Sequence, residues 1–203
     1  MITVVRPLLI AGTLVAALAA CSEDEPPEAG GIGVPRAEAG CQGIVTEDFV
    51  TPASGSHHLP DDTPLTFDDA PPAAALHHGF YPETMKNFYQ ASDRPTVSDL
   101  VHVTEHGYNL FWYDETIAND EEAMADVEAI ADEYPVGKYF VAAPWLAADG
   151  PAFPNGAHVA LTHWTGPSDM QGVWEYCEKV SGEVVDEFTT EYTKANSPEP
   201  KAP

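Results

Sequence analysis

Three groups in the run Leu100 to Tyr113 could do chemistry: His102, Glu105 and His106. They sit in the densest apolar and aromatic stretch of the chain, Leu-Val-His-Val-Thr-Glu-His-Gly-Tyr-Asn-Leu-Phe-Trp-Tyr. Imidazoles and a carboxylate cost free energy to bury unless they have partners, so their presence there asks for a reason. The other histidines gather in two doublets, His57-His58 and His77-His78, and in His158 and His163. Imidazole is a natural ligand for Cu(II), Zn(II) or Ni(II), and Glu105 could orient a ligating histidine or act as a general base. The metal set expected from this pattern is His57, His102, His106 and His78, with Glu105 as the outer acceptor, or as the catalytic group if there is one.

Spacing constrains that expectation. On a helix, His102 and His106 share a face one turn apart and could chelate. On a strand, which the apolar content favours, they lie ~13 Å apart, because each residue rises ~3.3 Å. In that case either the chain bulges near Gly107 or the two histidines do different jobs. Met85 and Met170 could extend a copper site through sulfur. The competing structural reading is a buried hydrogen-bond network in which Glu105 orients an imidazole. A hydrolase has fewer marks: there is no Gly-x-Ser-x-Gly elbow, no His-Glu-x-x-His helix and no P-loop.

The rest of the chain must position these groups. It has 203 residues, 44% hydrophobic and 10% aromatic, which suits one domain with a core. There are 33 Asp and Glu against 8 Lys and Arg, a formal charge of −25. Such a surface repels phosphate backbones, which excludes nucleic acid as a partner.

Residues 1–20 read as a signal peptide, with Arg6 followed by the apolar stretch Leu8 to Ala20. It ends Leu18-Ala19-Ala20-Cys21, which resembles the lipobox of bacterial lipoproteins. The resemblance implies lipid on Cys21 and a membrane anchor outside the cytoplasm. Residues 21–40, rich in Glu, Pro, Gly and Ala, are expected as a disordered tether, and 195–203 as a disordered tail. The folded domain is then 41–194. Setting Cys21 aside leaves Cys41 and Cys177, expected to form a disulfide in an oxidising compartment.

Within the domain, Asn119 with Glu122 reads as a helix cap, and Met124, Val127, Ile130, Ala131 and Tyr134 follow at helical spacing until Pro135 and Gly137. Lys138 to Ala143 and Ala157 to Trp164 read as strands. A last helix is expected from Met170 to Thr193, with Cys177 on its apolar stripe. The fold class is α+β: a small, mostly antiparallel or mixed sheet with two main helices.

The order of motifs resembles the bacterial family called domain of unknown function 3105. The resemblance rests on Pro52-Ala53-Ser54-Gly55-Ser56-His57, on Gly79-Phe80-Tyr81, and on Val101-His102-Val103-Thr104-Glu105-His106-Gly107 with Trp112-Tyr113. Ala143-Pro144 and Ala160-Leu161-Thr162 with Trp164 complete it. Ser56 stands where that family favours proline, and His58 and His77 are additional. The resemblance implies the domain boundaries and points to His57, His102, Glu105 and His106, but it names no reaction. The expected function is a lipid-anchored envelope protein binding copper or zinc. The alternatives are an envelope assembly protein that meets a protein partner, and a metal-assisted hydrolase.

Overall fold

The computed structural model describes Met1, 29–82 and 84–202. The signal peptide, Cys21 and the first part of the tether lie outside the described residues.

A five-stranded mixed sheet carries the molecule. In chain order its strands are β1 (Ile44–Asp48), β4 (Asn109–Tyr113), β5 (Phe140–Pro144), β6 (Val159–Thr165) and β7 (Gln171–Cys177). Their order across the sheet is β1-β7-β6-β4-β5. All neighbours are antiparallel except β4 and β5, which run parallel and are joined through the helices α2 (Glu115–Ala118) and α3 (Glu121–Glu133). Two-residue strands β2 (His58–Leu59) and β3 (His77–His78) pair in parallel apart from the sheet.

Alternation along the strands gives the sheet two buried faces. Phe111, Tyr113, Val159, Leu161, Val173 and Cys177 face α3 and α4 (Gly182–Glu191). Leu110, Trp112, Trp164, Trp174 and Tyr176 face the other way, onto α1 (Val97–Glu105) and the long loops before it. The Cys41–Cys177 disulfide is formed and joins residues 136 apart in sequence.

Several expectations are corrected. Leu100 to Tyr113 is not one strand: it is the end of α1, a turn, and then β4. Thr96 and Asp99 close a capping box, each side chain bonding the other's backbone N–H at 3.2 Å. The helix is buried along its whole length, so its β-branched content imitates a strand. Gly107, at φ +95°, ends it. The expected helix 170–193 is β7 followed by α4. Val173 and Cys177 are four apart, a spacing that fits both a strand face and a helix face, so periodicity alone misleads there. The cap of α3 is Asp120, whose carboxylate accepts from the N–H groups of Glu122 and Ala123; Asn119 instead ends α2.

Both expected disordered segments pack where they are described. Ala29 is fully buried, and a Cβ at Gly182 would overlap its backbone. Arg36 pairs with the buried Glu175 at 2.6 Å. Residues 194–202 lie along the end of α1, with Ser197 fully buried. No helix of the described residues is long and apolar enough to cross a membrane.

Candidate metal centre

The centre forms where α1 meets the loops on the tryptophan face of the sheet. His102 and Glu105 are three residues apart on the last turns of α1, so they share one side of the helix. The β2–β3 pairing sets His58 directly beside His77. That pair is fixed to α1 by the Ser98 hydroxyl, which accepts from the His78 N–H at 2.8 Å. Further along, the Thr104 hydroxyl donates to the Ala73 carbonyl at 3.0 Å, and Trp174 Nε1 donates to the Pro71 carbonyl at 2.7 Å. Thus the 70–78 loop is bonded to the helix and to the sheet.

Four donors converge. One ligand atom each of His58, His77, His102 and Glu105 all lie within 4.8 Å of one another. The rings of His58, His77 and His102 form a near-equilateral triangle, with centroids 4.7–4.9 Å apart. Glu105 Oε2 lies 3.2 Å from His77 Nε2 and 3.3 Å from His58 Nε2. Bonds of ~2.0–2.1 Å around a tetrahedral ion place its ligands ~3.3 Å apart, so these two edges have the required length. His77, His102 and Glu105 are buried, while the side chain of His58 is 42% exposed and forms the solvent side.

The tautomers are set by the backbone. His77 Nδ1 lies 2.9 Å from the Ala75 carbonyl, and His102 Nδ1 lies 2.7 Å from the Phe80 carbonyl. A carbonyl only accepts, so each Nδ1 carries a proton and the neutral ring keeps its lone pair on Nε2, facing the centre. Such an Nδ1–H to carbonyl bond is the usual outer support of a metal-bound histidine. It leaves His77 Nε2, a buried atom with no hydrogen-bond partner, facing a carboxylate oxygen. Two lone-pair groups 3.2 Å apart repel unless a proton or a metal cation lies between them.

Electrostatics fit a cation. Burial pushes the Glu105 carboxyl up, but the His77 and His57 imidazoles beside it outweigh burial and hold the group down at about 2. Burial lowers His102 by more than its hydrogen bond to the Phe80 carbonyl raises it. Glu105 therefore supplies a negative charge at the centre of the group.

The structure redistributes the expected residues. His57 is turned to Glu105 Oε1 through Nδ1, while its Nε2 lies 3.4 Å from the Thr51 hydroxyl, so it supports the carboxylate from outside the group. Glu105, expected outside, stands inside. His106 stacks on Tyr81 at 4.8 Å and meets Glu199 at 3.5 Å, one turn beyond the group. His78 points out of the centre, its Nε2 on the Thr63 carbonyl at 3.0 Å, as alternation along β3 requires. Met85 Sδ lies beside the Tyr89 hydroxyl, and Met170 Sδ beside the Thr51 hydroxyl, both outside the donor group. His58 and His77 were the residues that sequence reasoning passed over. The doublets themselves were the signal, since they concentrate four imidazoles at two points of the chain.

The sheet, the helix and the centre can now be set against known proteins. No curated protein and no solved structure matches the chain. Residues 58–203 match the family model described as Protein of unknown function (DUF3105), a span that begins at His58 and contains all four converging donors. The chain belongs to the DUF3105 family.

Proposed function

We propose that this is a lipid-anchored protein of the cell envelope that binds one transition-metal ion, Zn(II) or Cu(II), through His58, His77, His102 and Glu105. The observation that carries this reading is the pair of locked tautomers. His77 and His102 each place Nδ1 on a backbone carbonyl and both stand in the converging group, with His77 Nε2 3.2 Å from Glu105 Oε2. A cation is the particle that reconciles those lone pairs with Glu105. Three imidazoles and one carboxylate suit Zn(II) or Cu(II), and no sulfur donor lies in the group to favour Cu(I). The anchor rests on the lipobox-like Leu18 to Cys21, and the disulfide agrees with an oxidising compartment.

Four protein donors fill a tetrahedral shell, whereas a catalytic zinc keeps one position for water. Holding the ion is therefore favoured over hydrolysis. The test is metal analysis of untagged protein carrying Cys21→Ser, purified without chelator and titrated with Zn(II) and Cu(II). One equivalent bound, and lost in His77→Ala and in His102→Ala proteins that keep their fold, supports the reading. Wild-type protein with no metal and no shift in Tm on addition would sink it, and would leave a protonated His77–Glu105 pair as a structural network with a protein partner to be sought.

A further inference from the structure

We infer that residues 194–202 form a clasp that positions the last turn of α1, and with it Glu105, for metal binding, with Glu199 as the positioning residue. The ligand in this statement rests on the metal reading above; the mechanics do not.

A helix ends with carbonyls that have no partner within the helix. The Glu105 carbonyl is one of them, and it accepts from the Glu199 N–H at 3.0 Å. That partner comes from 94 residues further along the chain. The Glu199 carboxylate adds a contact of 3.5 Å to His106 Nε2, and the His106 ring stands edge-on to His102 at 4.9 Å.

The clasp is built in and does not merely lie on the surface. Ser197 and Pro198 are buried. Lys194 Nζ donates to the Ala202 carbonyl at 2.5 Å and to the Tyr139 hydroxyl at 2.7 Å, closing the segment on itself. The Gly166 N–H donates to the Asn196 carbonyl at 2.8 Å. Two glycines let the segment approach: a Cβ at Gly107 would stand 2.7 Å from Lys194 Cα, and one at Gly166 would stand 2.7 Å from Pro198 Cα.

Terminal helical turns fray, and Glu105 is the last residue of α1. A ligand shell tolerates only ~0.5 Å of misplacement. If the last turn is ordered for only part of the time, apparent affinity falls by that fraction. Coupling is reciprocal, so a bound ion must also hold the clasp shut.

The test uses the chain from Ser22 to Pro203, the same chain ending at Asn196, and the full-length variants Glu199→Pro and Glu199→Gln. Proline removes the N–H donor; glutamine keeps it. Zn(II) affinity is read by chelator competition, and hydrogen exchange is read at His106, Gly107 and Tyr108. The clasp predicts Zn(II) binding weaker by roughly tenfold or more, with faster exchange at those amides, in the shortened chain and in Glu199→Pro, and near wild-type values in Glu199→Gln. Unchanged exchange in Glu199→Pro overturns it. If wild-type protein takes no Zn(II), the metal reading fails while exchange still decides the clasp. If the shortened chain does not fold, the Pro and Gln variants decide it.

Discussion

The two faces of the sheet bury histidine in opposite ways. On the face covered by α3 and α4, His163 lies fully buried on β6, in line with Val159 and Leu161 and beside Tyr192. No carboxylate of the described residues pairs with it, and burial lowers it to about 4, so it is kept neutral. On the α1 face, three imidazoles and Glu105 are drawn together, and backbone carbonyls hold Nδ1 of His77 and of His102. The first face carries the cost of one polar group within ordinary packing. The second assembles loops, a helix end and a two-strand pairing around a charge. Burial alone does not mark a site; convergence of donors with fixed tautomers does.

The effect that separates the faces most sharply is loss of the ion. His77→Ala should remove stoichiometric Zn(II) or Cu(II) and the ligand-dependent rise in Tm, while His163→Phe should leave binding intact. With free ion at 100 times Kd, that stabilisation is about 2.7 kcal/mol. His78→Ala, whose side chain points away, should also bind normally; loss of metal there would break the assignment of donors.

Next comes the disulfide, which ties the helix face together. Cys41→Ser with Cys177→Ser should cost about 2–5 kcal/mol in denaturant unfolding, because a long loop is freed in the unfolded chain. The proposed metal centre, on the other face, should retain its stoichiometry wherever the variant remains folded.

The pH dependence of His163 has a definite sign. Its pKa lies below the ordinary 6.5 in the fold, so the unfolded chain takes the proton first. Its contribution is complete above pH 6.5 and is lost as pH falls from 6.5 to 4, on the order of 3 kcal/mol. His163→Phe should flatten that part of the stability curve for metal-free protein. An unchanged curve would mean that the helix face does not carry the titration. The smallest effect is at the cap of α3. Asp120→Ala should cost about 1 kcal/mol, measured by urea unfolding, and Asn119→Ala less.

Sequence patterns read the helix face better than the site face, for physical reasons. The stripe Val127, Ile130, Ala131 and Tyr134 has one period and one interpretation, and α3 lies there. Strands β5 and β6 carry apolar runs between turn residues and were equally legible. The mixed α+β class followed from those elements. On the site face, α1 is buried along its whole length and rich in β-branched residues, so it reads as a strand. The family-like run containing His102, Glu105 and His106 marked the right stretch of chain though not its helical form, and the two residues that converge, His102 and Glu105, lie in it. His58 and His77 reach the centre only through the β2–β3 pairing, a non-local contact of two residues that no local pattern encodes. The packed segment 194–202 is polar and proline-rich, and its order depends on close approach to Gly107 and Gly166.

X-ray absorption at the metal edge of the loaded protein tests the central claim most directly. The account predicts a first shell of nitrogen and oxygen at about 2.0–2.1 Å, with the outer scattering of three imidazoles, reduced to two in His58→Ala. Sulfur in the first shell, or one imidazole or none, would contradict it.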